Sequence, residues 1–210
     1  MEHSIVENIS HETISLKFME ALNIEFDGAL DVAISMFKGD YNRKFFGQLI
    51  SGQLDIDRSD YLKRDSFYTG VSEGNINSER LISMMSVVND ELVIEEKGIY
   101  SIEKFLTARR LMYWQVYLHK TSLVAEQMIT RILKRAKELS HKGVKLEASS
   151  ALSFFLNNST NSNNFEISTL NQFSLLDDYD IMSALKSWQF HDDFVLSHLS
   201  EMILNRNLLK

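Results

Sequence analysis

The chain has no cysteine, no proline and only eight glycines in 210 residues. Lack of cysteine excludes disulfides and thiolate metal ligands and points to a reducing, cytoplasmic setting. Lack of proline, with so little glycine, favours long helices over sheets with many turns. No apolar run approaches the roughly 18 residues that cross a membrane, and nothing after Met1 reads as a signal peptide. The formal charge of −7 leaves no extended cationic surface for nucleic acid, although a local cationic pocket for a triphosphate is compatible with it. What is present is ordinary for a globular protein: 44% hydrophobic and 24% charged residues, enough for one good core and one or two domains.

Periodicity predicts a mostly helical chain. Residues 2–22 read as one helix or two short ones, with Ile14, Phe18, Met19 and Leu22 on the apolar face. Residues 29–38, 41–54 and 57–67 continue in helical style, and Thr69-Gly70 ends the last of these. Residues 78–88 read as an amphipathic helix. Residues 91–95 then alternate, 96–98 are turn-like and Ile99-Tyr100 returns a strand, which gives a small β-hairpin. From Ile102 to Leu139 nothing breaks a helix, and Leu111, Leu118, Met128, Ile132 and Leu139 mark its buried face. The Asn-rich residues 157–168 carry little apolar surface and read as a loop or disordered linker. Residues 177–210 return to amphipathic helix through Ile181, Leu185, Trp188, Val195, Leu199 and Ile203. There is no internal repeat.

Residues 53–70 are the most informative stretch. Acids and bases are interleaved there with tyrosines at helical spacing. Asp57, Tyr61 and Asp65 fall at i, i+4 and i+8 and form one stripe on a helix, with Arg58 beside it. An exposed stripe does not need tyrosines, and a core stripe would not hold two aspartates, so a polar pocket wall accounts for both. A solvated face is the alternative. The pattern Asp-x-Asp-Arg-x-Asp-Tyr-x-x-Arg-Asp-x-x-x-Thr-Gly over residues 55–70 resembles HD-superfamily phosphohydrolases, in the deoxynucleoside triphosphate triphosphohydrolase branch. That resemblance implies Asp57 as a metal ligand, Arg58 on substrate phosphate, and Tyr61 and Asp65 on the deoxyribose.

A second segment, residues 107–120, places Arg109, Tyr113 and Tyr117 four residues apart, with Lys120 following. Cations and phenols on one side suit a polyphosphate and a sugar. Half-buried tyrosines beside solvated bases are the alternative. By the same resemblance Arg109 contacts phosphate and Tyr117 packs near the deoxyribose, while Tyr117-Leu118-His119-Lys120 matches a Tyr-x-His-Lys pocket sequence. Near the amino end, Glu2 and His11-Glu12 resemble the carboxylate and His-Glu pair of the family. His11 would then sit near the scissile phosphate, where an imidazole stabilises charge or moves a proton, with Glu2 as its catalytic companion. Alone, such a His-Glu pair reads as a helix cap.

The family's upstream histidine and His-Asp dyad, three of its four metal ligands, are expected before the present Met1. His191-Asp192 spells the dipeptide but lies far downstream in a segment read as helix. The expectation is therefore a mostly α, HD-like bundle with one small β-hairpin. Residues 1–140 form a partial phosphohydrolase domain and residues 141–210 a helical accessory region, within which 176–186 resembles bacterial members. The implied activity is metal-dependent conversion of a dNTP to deoxynucleoside and triphosphate, inactive in this fragment, by an oligomer. The divalent ion of the complete enzyme could be Mg, Mn, Fe or Zn. A catalytically dead nucleotide-binding or scaffolding module is the alternative.

Overall fold

The computed structural model describes residues 6, 7, 9–161 and 165–209. Glu2 and His3 lie outside the described residues. Helices dominate, as expected: α1 His11–Glu25, α2 Asp31–Lys38, α3 Lys44–Ser51, α4 Ile56–Thr69, α5 Ser78–Ser83, α6 Ile99–Met112, α7 Lys120–His141, α8 Ser150–Asn157, α9 Ile167–Ser174, α10 Asp178–Trp188 and α11 Phe194–Leu204. The strands are β1 Val6–Glu7, β2 Met85–Val88, β3 Glu91–Ile94 and β4 Thr160–Asn161. No helix among the described residues is long and apolar enough to cross a membrane.

By packing, the chain divides into one unit of Met19–Ser122 and another that takes residues up to Phe18 and from Leu123 onward. These divisions do not coincide with the boundary at 140 expected from the sequence, which falls near the end of α7.

The Met19–Ser122 unit is built on α4 and α6. Asp55 caps α4 by accepting the Arg58 N–H at 2.7 Å, and Gly70 ends it in the left-handed region at φ 72°. Leu62, Phe105 and Met112 are fully buried in a core with Ile76, Leu81 and Ala108. Tyr61, Val116 and Tyr117 pack against that core. Gly74 lets the segment after α4 reach α6 closely. A Cβ there would lie 2.6 Å from Met112 Sδ and 2.8 Å from Ser66 Cβ.

The hairpin exists, but one strand earlier in the chain than the sequence pattern suggests. β2 pairs antiparallel with β3, with Val88 opposite Glu91. Asn89 and Asp90 turn the chain with φ 51° and 65°, a two-residue connection these side chains tolerate. The helix expected over 78–88 thus stops at Ser83, and Ile99-Tyr100 opens α6 instead of returning a strand. α3 pins the turn. Arg43 Nε donates to Asp90 at 2.9 Å, the Lys44 N–H donates to it at 2.7 Å, and these contacts hold the Asp90 carboxyl below its usual range.

The uninterrupted helix expected over 102–139 is also corrected. A π-turn at Tyr113–Tyr117 separates α6 from α7, closed by the Leu118 N–H donating to the Tyr113 carbonyl at 2.7 Å. Leu118, expected on the buried face, is 54% exposed. The Thr121 N–H donates to His119 Nδ1 at 3.3 Å, so His119 contacts the first turn of α7 from just before it.

In the other unit, Ile132, Ala136 and Leu139 of α7 pack with Leu152, Leu156, Ala184, Leu185, Trp188 and Leu196. Trp188 satisfies its buried indole by donating to the Glu147 carbonyl at 2.8 Å. The Asn-rich segment is not wholly loop. Thr160 and Asn161 pair in parallel with Val6 and Glu7, and both Thr160 and Phe165 are buried. Two anchors thus compensate for the asparagines. The helix expected over 177–210 breaks between α10 and α11. His191-Asp192 lies in that connection, where the Asp193 N–H donates to His191 Nδ1 at 2.9 Å.

Candidate functional site

Helical spacing on α4 and the π-turn after α6 bring two separated segments to one wall. Tyr117 Oη donates to Asp65 Oδ2 at 2.6 Å across 52 residues of sequence. The Tyr117 ring meets Tyr61 edge-on at 5.9 Å and Tyr113 at 5.2 Å between centroids. The Arg109 guanidinium lies 5.7 Å from the Tyr113 ring centroid. Tyr61, Asp65, Arg109 and Tyr117, read from sequence as site residues, are thus together. Tyr113 joins them and is 39% exposed. Its signal was the four-residue recurrence of Arg109, Tyr113 and Tyr117.

The electrostatics keep Tyr61 and Tyr117 protonated. Burial raises the Tyr117 pKa above the ordinary value, and the hydrogen bond to Asp65 and its negative charge raise it further. Burial and neighbouring Tyr113 raise the Tyr61 pKa, while Arg109 and Arg58 pull it the other way. Tyr117 is therefore a hydrogen-bond donor and not a base. A half-buried aromatic wall with a fixed carboxylate and a cation suits the hydroxyls and flat faces of a nucleoside.

Arg58 stands one turn before Tyr61, and its guanidinium is engaged by protein. Nη1 donates to the Asp55 carboxylate and to the Gly52 carbonyl. Asp55, 4% exposed, is the one charged residue fully buried among the described residues, and the stripe pattern passes over it. The signal for it was an aspartate in the N-cap position before a helical stretch.

Asp57 is exposed in the first turn of α4. Among the described residues no three of His, Asp or Glu come together as a metal cage, and one carboxylate does not fit a divalent ion that takes several ligands. Lys120 is exposed as the first residue of α7. His11 is the first residue of α1, exposed, with Nε2 3.1 Å from Glu12 Oε1. Ser10 Oγ accepts the Thr13 N–H at 3.2 Å, so Ser10 supplies the capping contact there.

Residues 76–153 match the family model of the HD associated region. A phosphohydrolase of Bacteroides thetaiotaomicron VPI-5482 has a solved structure that superposes with a TM-score of 0.97 at 58% identity, over 100% of this chain and 52% of that one. The uncharacterized protein YwfO of Bacillus subtilis is 36% identical over 171 residues, 81% of this chain and 38% of its own length. A Dictyostelium discoideum protein named deoxynucleoside triphosphate triphosphohydrolase SAMHD1 homolog is 31% identical over 94 residues, 45% of this chain and 18% of its own. The chain spans about half or less of the length of each of these relatives. Together the matches support an HD-superfamily phosphohydrolase.

Proposed function

We propose that this chain supplies the nucleotide-holding wall of an HD-type phosphohydrolase that converts a dNTP to deoxynucleoside and triphosphate. The observation that carries the reading is the Tyr117–Asp65 hydrogen bond within the Tyr61, Tyr113 and Tyr117 cluster. It joins the two segments whose motifs resemble the triphosphohydrolase branch, and the name of the Dictyostelium relative agrees with that substrate class. In this reading Asp65, Tyr61 and Tyr117 hold the sugar. Arg58, Arg109 and Lys120 face the phosphates, and His11 with Glu2 serves the scissile group. Asp57 contributes one metal ligand, and its partners belong to parts of the longer relatives that this chain does not span. The 210 residues alone are expected to turn over little or no dNTP. The complete enzyme works as a cytoplasmic oligomer.

The first test is calorimetric titration of the chain with dGTP and with deoxyguanosine, followed by the Tyr117→Ala variant. Saturable dGTP binding that weakens in the variant supports the wall. Absence of dGTP binding sinks it, as does a variant that binds like wild type. In the full-length protein, Asp57→Ala is expected to abolish metal binding. A second reading is a nucleotide-binding module without turnover, to which the same tyrosine wall would belong. A full-length protein that binds dGTP yet releases no tripolyphosphate would establish it.

A further inference from the structure

We infer that Asp55 is a positioning residue that, with the Gly52 carbonyl, aims Arg58 at the triphosphate. The inference rests on the nucleotide-wall reading above. A charged side chain buried to 4% exposure is costly unless its oxygens are used, and both oxygens of Asp55 are used. Oδ1 accepts the Arg58 N–H at 2.7 Å and Oδ2 accepts Arg58 Nη1. The Gly52 carbonyl takes a second contact from the same Nη1.

Residue 52 has to be glycine for that carbonyl to arrive, because a Cβ there would stand 2.1 Å from the Gln48 carbonyl oxygen. The loop and the helix cap therefore converge on one nitrogen of one guanidinium. Among the described residues no side chain or carbonyl engages Arg58 Nε or Nη2. These two N–H groups form the edge of the fork that binds two oxygens of a phosphate side by side. The clamp fixes one corner of the arginine and leaves that edge available, so little rotamer freedom is left to lose when phosphate arrives. Arg58 and Tyr61 are three residues apart on α4, so they are neighbours on the surface of that helix and the guanidinium starts beside the aromatic wall.

The test compares wild type with Asp55→Asn, Arg58→Ala, Arg58→Lys and the Asp55→Asn/Arg58→Ala double variant. Dissociation constants are measured for dGTP and for deoxyguanosine, with thermal melting as the fold control. Asparagine caps a helix as well as aspartate does, so Asp55→Asn keeps the helix start and removes the charge. The expected result is about a tenfold loss of dGTP affinity in Asp55→Asn, unchanged deoxyguanosine binding, and no further loss when it is added to Arg58→Ala. A merely structural aspartate would weaken both ligands and would multiply with Arg58→Ala.

Arg58→Lys, which keeps the ion pair but lacks the fork edge, is expected to lose dGTP affinity as Arg58→Ala does. It decides the matter should Asp55→Asn not fold. Wild-type dGTP affinity in Asp55→Asn or in Arg58→Lys overturns the inference while leaving the wall intact. Absence of dGTP binding in wild type overturns the wall, and the phosphate role of Arg58 with it.

Discussion

Two aspartate–arginine pairs in this molecule use the same device and end differently. Asp55 caps α4 and holds Arg58; Asp193 caps α11 and holds Arg135. In the second pair every nitrogen of the fork is engaged by protein. Arg135 Nε and Nη2 donate to Asp193 at 3.1 and 2.6 Å, and Nη1 donates to Glu138 at 2.9 Å. All three nitrogens of that guanidinium are engaged by protein, and they bind α7 to the start of α11 across 58 residues of sequence. In the first pair only Nη1 is tied, to a neighbour three residues away and to a loop carbonyl. A capped helix with an arginine held at all three nitrogens is a joint. The same cap with an arginine held at one corner presents an unspent edge to whatever enters beside it.

The contrast breaks most visibly at the joint. Asp193→Ala removes a cap worth about 1 kcal/mol together with both fork contacts, so it should lower the melting temperature more than any substitution in the tyrosine wall. Its dGTP affinity should stay at the wild-type value, and a weakened affinity would erase the distinction between the two pairs.

At the wall, Tyr117→Phe keeps the ring and removes the donor to Asp65. Loss of the bond that orients Asp65 predicts roughly a tenfold weaker dGTP complex in calorimetry, with a small loss of fold stability of about 1 kcal/mol. Acid tests the joint in another way. Its contacts with Arg135 hold the Asp193 carboxyl down at about 2, from an ordinary 3.8. The stability it contributes is fully present above the ordinary value and disappears as pH falls through about 2. Melting followed from pH 5 to pH 2 should show a step in wild type that Asp193→Asn lacks. The smallest effect belongs to exposed Lys120. Lys120→Ala should weaken dGTP binding by a factor of roughly two to three at low salt and leave stability within about 0.5 kcal/mol. Equal affinities at low salt would remove Lys120 from the phosphate-facing set.

Where local chemistry decides, the sequence is readable. α4 can be read because Asp55, the charged stripe and Gly70 are a start, a body and a stop written in consecutive residues. The hairpin is legible as alternation but misplaced by one strand, because the turn belongs to Asn89-Asp90 and the following Glu-Lys-Gly turn looks equally suitable. The π-turn has no local signature. It lies where Tyr117 reaches an aspartate 52 residues away, and no periodicity reports such a contact. Residues Tyr61, Asp65, Arg109 and Tyr117 form a set through family resemblance, and the structure brings them together. Composition alone leaves them as half-buried tyrosines. The Arg135–Asp193 joint is invisible for the same reason as the π-turn, since neither partner is near the other in the chain.

The π-turn also makes residue count matter in a way that residue identity does not. Between Arg109 and Lys120 the backbone carries one residue more than a regular helix would use to close the same turn. Deleting Trp114, Gln115 or Val116 would let the segment relax into an ordinary helix. The residues that follow within the turn would then swing about 100° around the axis and slide about 1.5 Å along it. Tyr117 would leave Asp65 even if every side chain of the wall were kept. This stretch should therefore accept substitutions far more readily than changes in length, with a gain or loss of one codon acting like a turn of a screw.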